Sequence, residues 1–471
     1  MRRTKIVCTI GPAVSSAEMI EKLINAGMDV ARLNFSHGTY EEHAQMIKII
    51  RESAVKLGKY VGILQDLSGP KIRIGKIEGD KQILESGQDF IFSTKKDVIG
   101  QGIVYLPFPE MPKQVKKGQM IYVDDAKLEF KVISTTNTDI LTKVIIGGEI
   151  SSNKGFTVPG ASYNVPGVTK KDQDDLRFGL EQGIDWIASS FVRKADDIIP
   201  LKKVMREAGK RVPVIAKIER PEAVKNIAEI IKEYDAIMVA RGDLGIELPI
   251  DEVPIIQKNI IKLCNKAGKP VITATQMLDS MMSNSRPTRA EVSDVANAIM
   301  DGTDATMLSG ETAVGAFPIE AVKMMDSVAR RTEKSLDYHG INEARMKFAT
   351  NDITEAIGES AAKLALDIDV AAIITCTFCG TTARLVSKYR PKARIIAAAS
   401  NLETAHRLTL SWGVTPVYVE MAKDTDGLIQ NAVEASCEKK LIKKNETILI
   451  LAGVPVGVAG NTSLIRVLKV E

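Results

Sequence analysis

Eight short apolar, β-branched runs recur along the 471-residue chain, each followed by a stretch of helical periodicity. They are KIVCTI from Lys5, VARLNFS from Val30, VGILQDL from Val61, WIASSF from Trp186, PVIAKIE from Pro213, AIMVAR from Ala236, PVITATQM from Pro270 and ATMLSG from Ala305. Between them, stretches such as SSAEMIEKLINAG and DEVPIIQKNIIKLCNKAG read as amphipathic helices, the second ending in a Gly-Lys-Pro stop. Eight strand–helix units are the count of a (β/α)8 TIM barrel, which takes about 250 residues. An open doubly wound sheet is the alternative, and the near-equal spacing of the units favours closure.

One interval breaks the spacing: 125 residues separate Val61 from Trp186. Within it the pattern changes to short alternating strands with Gly-containing turns, GQDFIFST, GQMIYVDDAKLEFKVIST and ILTKVIIGG. The expectation is an inserted small β-barrel lid over residues 71–166, dividing a TIM barrel into 1–70 and 167–336. Pro159–Gly160 and Pro166–Gly167 mark its exit. An insertion at that end of a barrel strand sits over the mouth. Past Leu336 the stretch DYHGINEARMKFATND reads as a polar link. It opens a C-terminal α/β regulatory and oligomerisation domain, 337–471, with strands AAIITCT, RIIAAAS, VTPVYVE, TILILAG and IRVLKV.

Composition excludes several classes of function. Lys+Arg (63) and Asp+Glu (59) nearly balance, so the net charge of +4 supports neither a nucleic-acid partner nor a membrane surface. The N-terminus lacks the apolar core and cleavage site of a signal peptide, and ILILAGVPVGVAG is too short to span a bilayer. Five cysteines, an odd number, argue for a reducing compartment, and a cytoplasmic location is expected. Cys376 and Cys379 form a CxxC with no second pair or nearby His, which reads more readily as thiols than as a zinc or redox site. The four histidines are scattered.

In a TIM barrel the site lies at the C-terminal ends of the strands, and polar residues collect there. The second run ends Arg32-Leu33-Asn34-Phe35-Ser36-His37, the third reaches Asp66, and the fifth ends Lys217-Ile218-Glu219. The sixth leads into Arg241-Gly242-Asp243, the seventh reaches Thr273 and Thr275, and the eighth ends Ser309-Gly310-Glu311. A single such charge could be a structural ion pair; agreement among five strands points to a site. Glu219 and Asp243 suit a hard divalent cation such as Mg2+, which keeps waters and takes substrate oxygens. Arg32, Arg73, Lys217 and Arg241 bring positive charge to the same face, as an anionic phosphate ester requires. Lys217 and Glu219 are two apart, so on a strand they share a side. An ammonium there stabilises charge on a transferring phosphoryl group or an enolate. No GxxxxGK[ST], HRD or DFG occurs, so a phosphotransferase here uses neither the P-loop nor the protein-kinase solution.

Over its whole length the chain resembles the pyruvate kinase family. The resemblance rests on TKIVCTIGP (Thr4–Pro12), RLNFSHG (Arg32–Gly38), SGPKIR (Ser68–Arg73), AKIE (Ala216–Glu219), MVARGDLGIE (Met238–Glu247), ATQMLDSM (Ala274–Met281), RPTRAE (Arg286–Glu291), DVANAIMDGTDATMLSGETA (Asp294–Ala313) and YRP (Tyr389–Pro391). It implies phosphoenolpyruvate and ADP as substrates, Mg2+ (or Mn2+) as cofactor, and a homotetramer. By the same resemblance Glu219 and Asp243 hold the metal, and Lys217 stabilises the phosphoryl group and the enolate. Gly242 and Thr275 hold the substrate carboxylate and its surroundings. Arg32 and Arg73 contact phosphates, and Asn34, His37 and Lys154 lie on the nucleotide side. The proton donor to the enolate is expected to be a water near Thr275 and Ser309.

Two departures from the family pattern are informative. Potassium-requiring members carry a glutamate in the third motif and a threonine after the aspartate, where this chain has Lys71 and Leu67. The Lys71 ammonium is expected to replace K+ beside Asn34, Ser36, Asp66 and Leu67, making turnover independent of K+; the alternative is a solvated hinge lysine. In the C-terminal domain, members activated by fructose bisphosphate have a TKSGRS-type loop. Here Thr377-Phe378-Cys379-Gly380-Thr381-Thr382 keeps a glycine and hydroxyls able to take a phosphate at a helix N-terminus. A phosphorylated effector is expected at Thr377, Gly380, Thr381 and Thr382, its identity open among fructose bisphosphate, a sugar monophosphate and AMP. Two other readings stand at this stage: another enolate-forming Mg2+ barrel of the aldolase kind, and a barrel protein that has lost catalysis.

Overall fold

The computed structural model describes residues 2–96, 98–161, 166–347, 352–455 and 460–471. Eight parallel strands close a barrel: β1 (Lys5–Ile10), β2 (Val30–Asn34), β3 (Gly62–Asp66), β4 (Trp186–Ser189), β5 (Val214–Ile218), β6 (Ala236–Ala240), β7 (Val271–Ala274) and β8 (Ala305–Leu308). Closure is made by β1, which pairs with β2 (Val7 opposite Val30) and with β8 (Lys5 opposite Ala305). These strands are apolar almost throughout because both faces are covered. Alternate residues Val7, Val30, Leu64, Ala188, Ile215, Met238, Ile272 and Met307 form one buried cluster, the filling of the barrel. Their chain neighbours Ile6, Ala31, Ile63, Ile187, Ala216 and Ile237 belong to the larger core shared with the surrounding helices.

Local chemistry sets the helix limits. Ser16 accepts from the Met19 N–H, and Thr39 with Glu42, Thr169 with Asp172 and Thr288 with Glu291 form reciprocal capping boxes. Gly183 (φ +75°) ends the helix that precedes β4, in a left-handed conformation other residues adopt at a cost.

The insertion between β3 and β4 is all-β. Seven strands form one sheet, running from Phe156–Thr157 at one end to Ile99–Gly100 at the other, and Lys81–Leu84 pairs with Gly148–Ser151 in a second. The expected small β-barrel is thus met in its all-β content, while among the described residues its seven strands pair in an open order. Phe90, Phe92, Phe130 and Phe156 form its centre, with ring centroids 5.1–5.4 Å apart.

The C-terminal sheet comprises β9 (Ala372–Thr377), β10 (Arg394–Ala399), β11 (Val414–Tyr418), β12 (Thr447–Gly453) and β13 (Thr462–Lys469), ordered β11-β10-β9-β12-β13 with only β13 antiparallel. The stretch expected to be a polar link is instead a packed helix, Tyr338–Met346, as far as the described residues reach. Asp337 caps it at the Gly340 N–H (3.1 Å). Two of its polar residues are buried because they bond the C-terminal domain: Asn342 donates to the Tyr389 carbonyl (3.1 Å) and Arg345 to that of Lys388. Residues 348–351 of that stretch lie outside the described residues.

Candidate active site

The inward alternation of the barrel strands builds the site. Two residues beyond the interior Val30, Leu64, Ala188 and Ile215 stand Arg32, Asp66, Ser190 and Lys217, and two beyond Lys217 stands Glu219. These five side chains form a connected network. Arg32 donates through Nε to Asp66 (2.7 Å) and through Nη1 to the Thr9 hydroxyl (2.9 Å). The Lys217 Nζ lies 2.8 Å from Ser190 Oγ, 2.9 Å from Glu219 Oε1 and 3.3 Å from Asp66 Oδ1.

Burial alone would neutralise these groups, since desolvation penalises charge. Burial opposes the Lys217 ammonium, yet Asp66 and Glu219 hold its pKa well above the ordinary lysine value. Burial likewise raises Asp66, but Lys217 and Arg32 outweigh it and leave the carboxyl below its usual range. Glu219 ends on the other side. Burial first, and then the charge of Asp243, raise it, despite the help of Lys217 and of a hydrogen bond from the Phe191 N–H (2.7 Å).

That imbalance bears on a metal. Glu219 is 1% exposed, and its Oε1, though close to Lys217, takes no aligned hydrogen bond. A buried oxygen short of a partner, facing the repelling Asp243 carboxylate, fits a divalent cation between the two. Among the described residues no three His, Cys, Asp or Glu side chains form a metal cluster, so further ligands would come from substrate and water.

The cleft above the network, with about 850 Å³ of free space including its open mouth, is lined from both barrel and insertion. Arg32, Asn34, Ser36, His37, Asp66, Leu67, Lys217, Glu219 and Asp243 contribute from the barrel side, and Lys71, Arg73 and Lys154 from the inserted segment. Arg73 donates to the Asn153 carbonyl (3.0 Å), and Lys154 pairs with Asp124 (3.0 Å). Burial, then Arg73 and Arg32, lower the His37 pKa. Asn34 accepts from the Ser36 N–H (3.1 Å), and the Leu67 carbonyl from Ser190 Oγ (2.7 Å).

Lys71 lines the same cleft as Asn34, Ser36 and Asp66, and its Nζ sits 3.3 Å from both Asp243 Oδ1 and Asp125 Oδ1. Arg241 departs from the sequence reading: it turns from the cleft to Asp294 (2.7 Å) and the Thr275 carbonyl (2.7 Å), making it a clamp between elements. Glu311 is spent on the Leu278 and Ser309 N–H groups (3.1 and 2.7 Å). Gly242 and Thr275 meet each other, the Gly242 N–H donating to Thr275 Oγ1 (2.8 Å), with Thr275 held at φ +69°. The Ser309 hydroxyl is buried without a partner.

Several cleft residues escaped the sequence reading, Ser190, Asp124 and Asp125 among them. Ser190 follows a strand with no charge at its end, and its only signal is its place two residues beyond Ala188. Asp124 and Asp125 occupy consecutive left-handed positions, φ +54° and +56°, in a turn of the insertion where nothing in the pattern announced a site.

Residues 1–322 match the sequence family described as pyruvate kinase, barrel domain, and residues 355–468 the one described as pyruvate kinase, alpha/beta domain. The chain belongs to the pyruvate kinase family. It is 48% identical over 469 residues to the pyruvate kinase of Geobacillus stearothermophilus, covering 99% of this chain and 80% of that protein. To the Bacillus licheniformis pyruvate kinase it is 47% identical over 470 residues, with the same coverage. The crystal structure of a pyruvate kinase from Cryptosporidium parvum superposes with a TM-score of 0.93 at 38% identity, covering 100% of this chain and 96% of that one. Membership in the pyruvate kinase family leaves neither the aldolase reading nor the non-enzyme reading in place. No helix of the described residues is long and apolar enough to cross a membrane.

The segment expected to hold an effector lies in the C-terminal domain, at the start of the helix Thr381–Lys388. Gly380 (φ +84°) donates to the Thr377 hydroxyl (2.9 Å), and the Thr382 hydroxyl is bonded to that of Thr462 (2.7 Å). Thr381 Oγ1 is 3.1 Å from the Cys379 sulfur. In the CxxC, Cys376 is buried and Cys379 exposed.

Proposed function

We propose that this mouth transfers the phosphoryl group of phosphoenolpyruvate to ADP, giving pyruvate and ATP, with Mg2+ (or Mn2+) held by Glu219 and Asp243. The observation that carries the reading is Lys217, a buried ammonium kept charged by Asp66 and Glu219 at the inner wall of the cleft. When bound, the divalent cation supplies positive charge that offsets the phosphoryl oxygens. Lys217 faces the negative charge that passes from the phosphoryl group to the enolate, and being fixed by Ser190 it needs no reorganisation as that charge develops. Arg32, pinned by Asp66 and Thr9, and Arg73, tied to the insertion, bind phosphate oxygens from two sides. Asn34, His37 and Lys154 form the nucleotide side. Gly242 and Thr275 receive the substrate carboxylate, which displaces their mutual hydrogen bond. A water near Thr275 and the unpartnered Ser309 hydroxyl delivers the final proton.

The divisions 1–70 with 167–336, 71–166 and 337–471 are proposed as catalytic, lid and regulatory units. A homotetramer, a cytoplasmic location and a phosphorylated effector at Thr377–Thr382 complete the proposal. Release of pyruvate that requires both ADP and Mg2+, measured in a coupled assay, tests the reading; turnover without ADP would overturn it.

Turnover independent of K+ is also proposed. Lys71 brings a fixed ammonium into the cleft, and Arg32 and Lys217 already occupy the Asp66 carboxylate. The rate should change by less than about twofold when K+ replaces a bulky organic cation at equal ionic strength, since a cation already in place leaves little for K+ to neutralise. Strong activation by K+ would count against it.

A further inference from the structure

The chain leaving β2 brings Asn34, Ser36 and His37 to the cleft, and successive residues part to two sides. Asn34 and Ser36 line the cleft, whereas Phe35 between them is 3% exposed and lies against the helix Tyr40–Lys56. There its ring stacks on that of His43, with centroids 4.0 Å apart and planes within 7° of parallel. The His43 Nε2 also lies 2.9 Å from the His37 carbonyl oxygen. A carbonyl can only accept, so the bond fixes the tautomer: Nε2 carries the proton and donates it. The loop packs directly on the ring. Gly38 turns at φ +80°, and a Cβ there would stand 3.3 Å from the same nitrogen.

Two carbonyls of this loop are held unequally. That of Phe35 accepts from Lys171 Nζ (2.9 Å) and from Ser68 Oγ (3.1 Å). That of His37 has, among the described residues, His43 alone. The inner half of the loop is thus anchored twice, and the outer half, where His37 meets the cleft, hangs on one imidazole standing behind it. Burial depresses the His43 pKa below the ordinary histidine value, despite the His37 carbonyl and the charge of Asp175. The ring is therefore a neutral donor at neutral pH.

We infer that His43 is a positioning residue for the nucleoside diphosphate: its ring and its Nε2–H fix the loop that presents Asn34 and His37 to that substrate. The inference rests on the proposed reading of this side of the cleft as the nucleotide's. In that reading phosphoenolpyruvate is held by Lys217, Gly242 and Thr275, none of which bonds the loop. Loosening the loop therefore weakens one substrate and spares the other.

Steady-state kinetics on the full-length protein, with each substrate varied in turn, tests this. In His43→Phe, which keeps a stacking ring and loses the donor, the KM for ADP should rise about three- to tenfold, the scale of one neutral hydrogen bond. The KM for phosphoenolpyruvate and kcat should stay within about twofold, the pattern of binding lost to a single substrate. His43→Gln restores an N–H near the place of Nε2 and should return the KM for ADP to within about twofold of wild type, which a role in packing alone would not allow. If His43→Phe does not fold, His43→Leu carries the same expectation. An unchanged KM for ADP, equal rises for both substrates, or a His43→Gln variant as weak as His43→Phe overturns the inference. Wild-type protein without ADP-dependent turnover would instead bring down the reading of the reaction, and this inference with it.

Discussion

Lys217 shows how a single residue depends on its neighbours. It is charged because two carboxylates surround it, and it is aimed because Ser190 holds its nitrogen. Lys217→Met keeps the apolar stem and removes the charge, so kcat should fall by about 10²–10³ while the fold persists. Steady-state kinetics and circular dichroism on the same preparation check this, and near-normal turnover would remove Lys217 from the mechanism. At this scale the sequence was informative wherever a residue's direction followed from strand alternation, as it does for Arg32, Asp66, Lys217 and Glu219. It was silent where direction is set by tertiary partners. Arg241 follows its strand just as Lys217 lies in its own, but the helix that begins at Arg241 swings its guanidinium to Asp294. Lys71 lines the cleft, and its partner Asp125 comes from a turn of the insertion invisible to pattern.

Among the elements, the helix Arg241–Glu247 has two ends with different duties. Its start carries Gly242 and Asp243 to the cleft, while its last residue helps fasten the insertion's return. Glu247 accepts from Arg220 (2.5 Å) and from the Gly160 backbone, and Arg220 also donates to the Ala161 carbonyl (2.7 Å). Burial raises the Glu247 pKa from 4.5 to about 7. The folded protein therefore binds this proton more tightly than the unfolded chain. The resulting stability is fully present below pH 4.5 and is lost as pH rises through about 7. Glu247→Gln should flatten the decline of the unfolding midpoint over that range; parallel wild-type and variant profiles would contradict the assignment. Barrel strands were legible because burial on both faces leaves an unmistakable apolar run. The helix Tyr338–Met346 was not, because its buried residues are the polar Asn342 and Arg345, paired with carbonyls that only the folded chain brings near.

For the whole molecule, Arg390 joins the C-terminal domain to the barrel. It pairs with Asp304, donates to the Gly302 carbonyl (2.9 Å) and lies against Trp412. Removing one member of a buried pair typically costs about 3–5 kcal/mol. Arg390→Met should lower the thermal midpoint and resolve the calorimetric trace into separate transitions for barrel and C-terminal domain. A single transition at the wild-type temperature would show that other contacts hold the joint. Barrel closure itself sets a timetable for synthesis. The first strand needs Ala305 opposite Lys5, so it leaves the ribosome roughly 300 residues before its partner exists. At about 5–20 residues per second that is a wait of roughly 15–60 s. The insertion, whose ladders pair only within itself, is complete long before then. The nascent chain thus carries a folded insertion beside a half-made barrel, with the apolar edge of β1 open to chaperones until the eighth strand arrives.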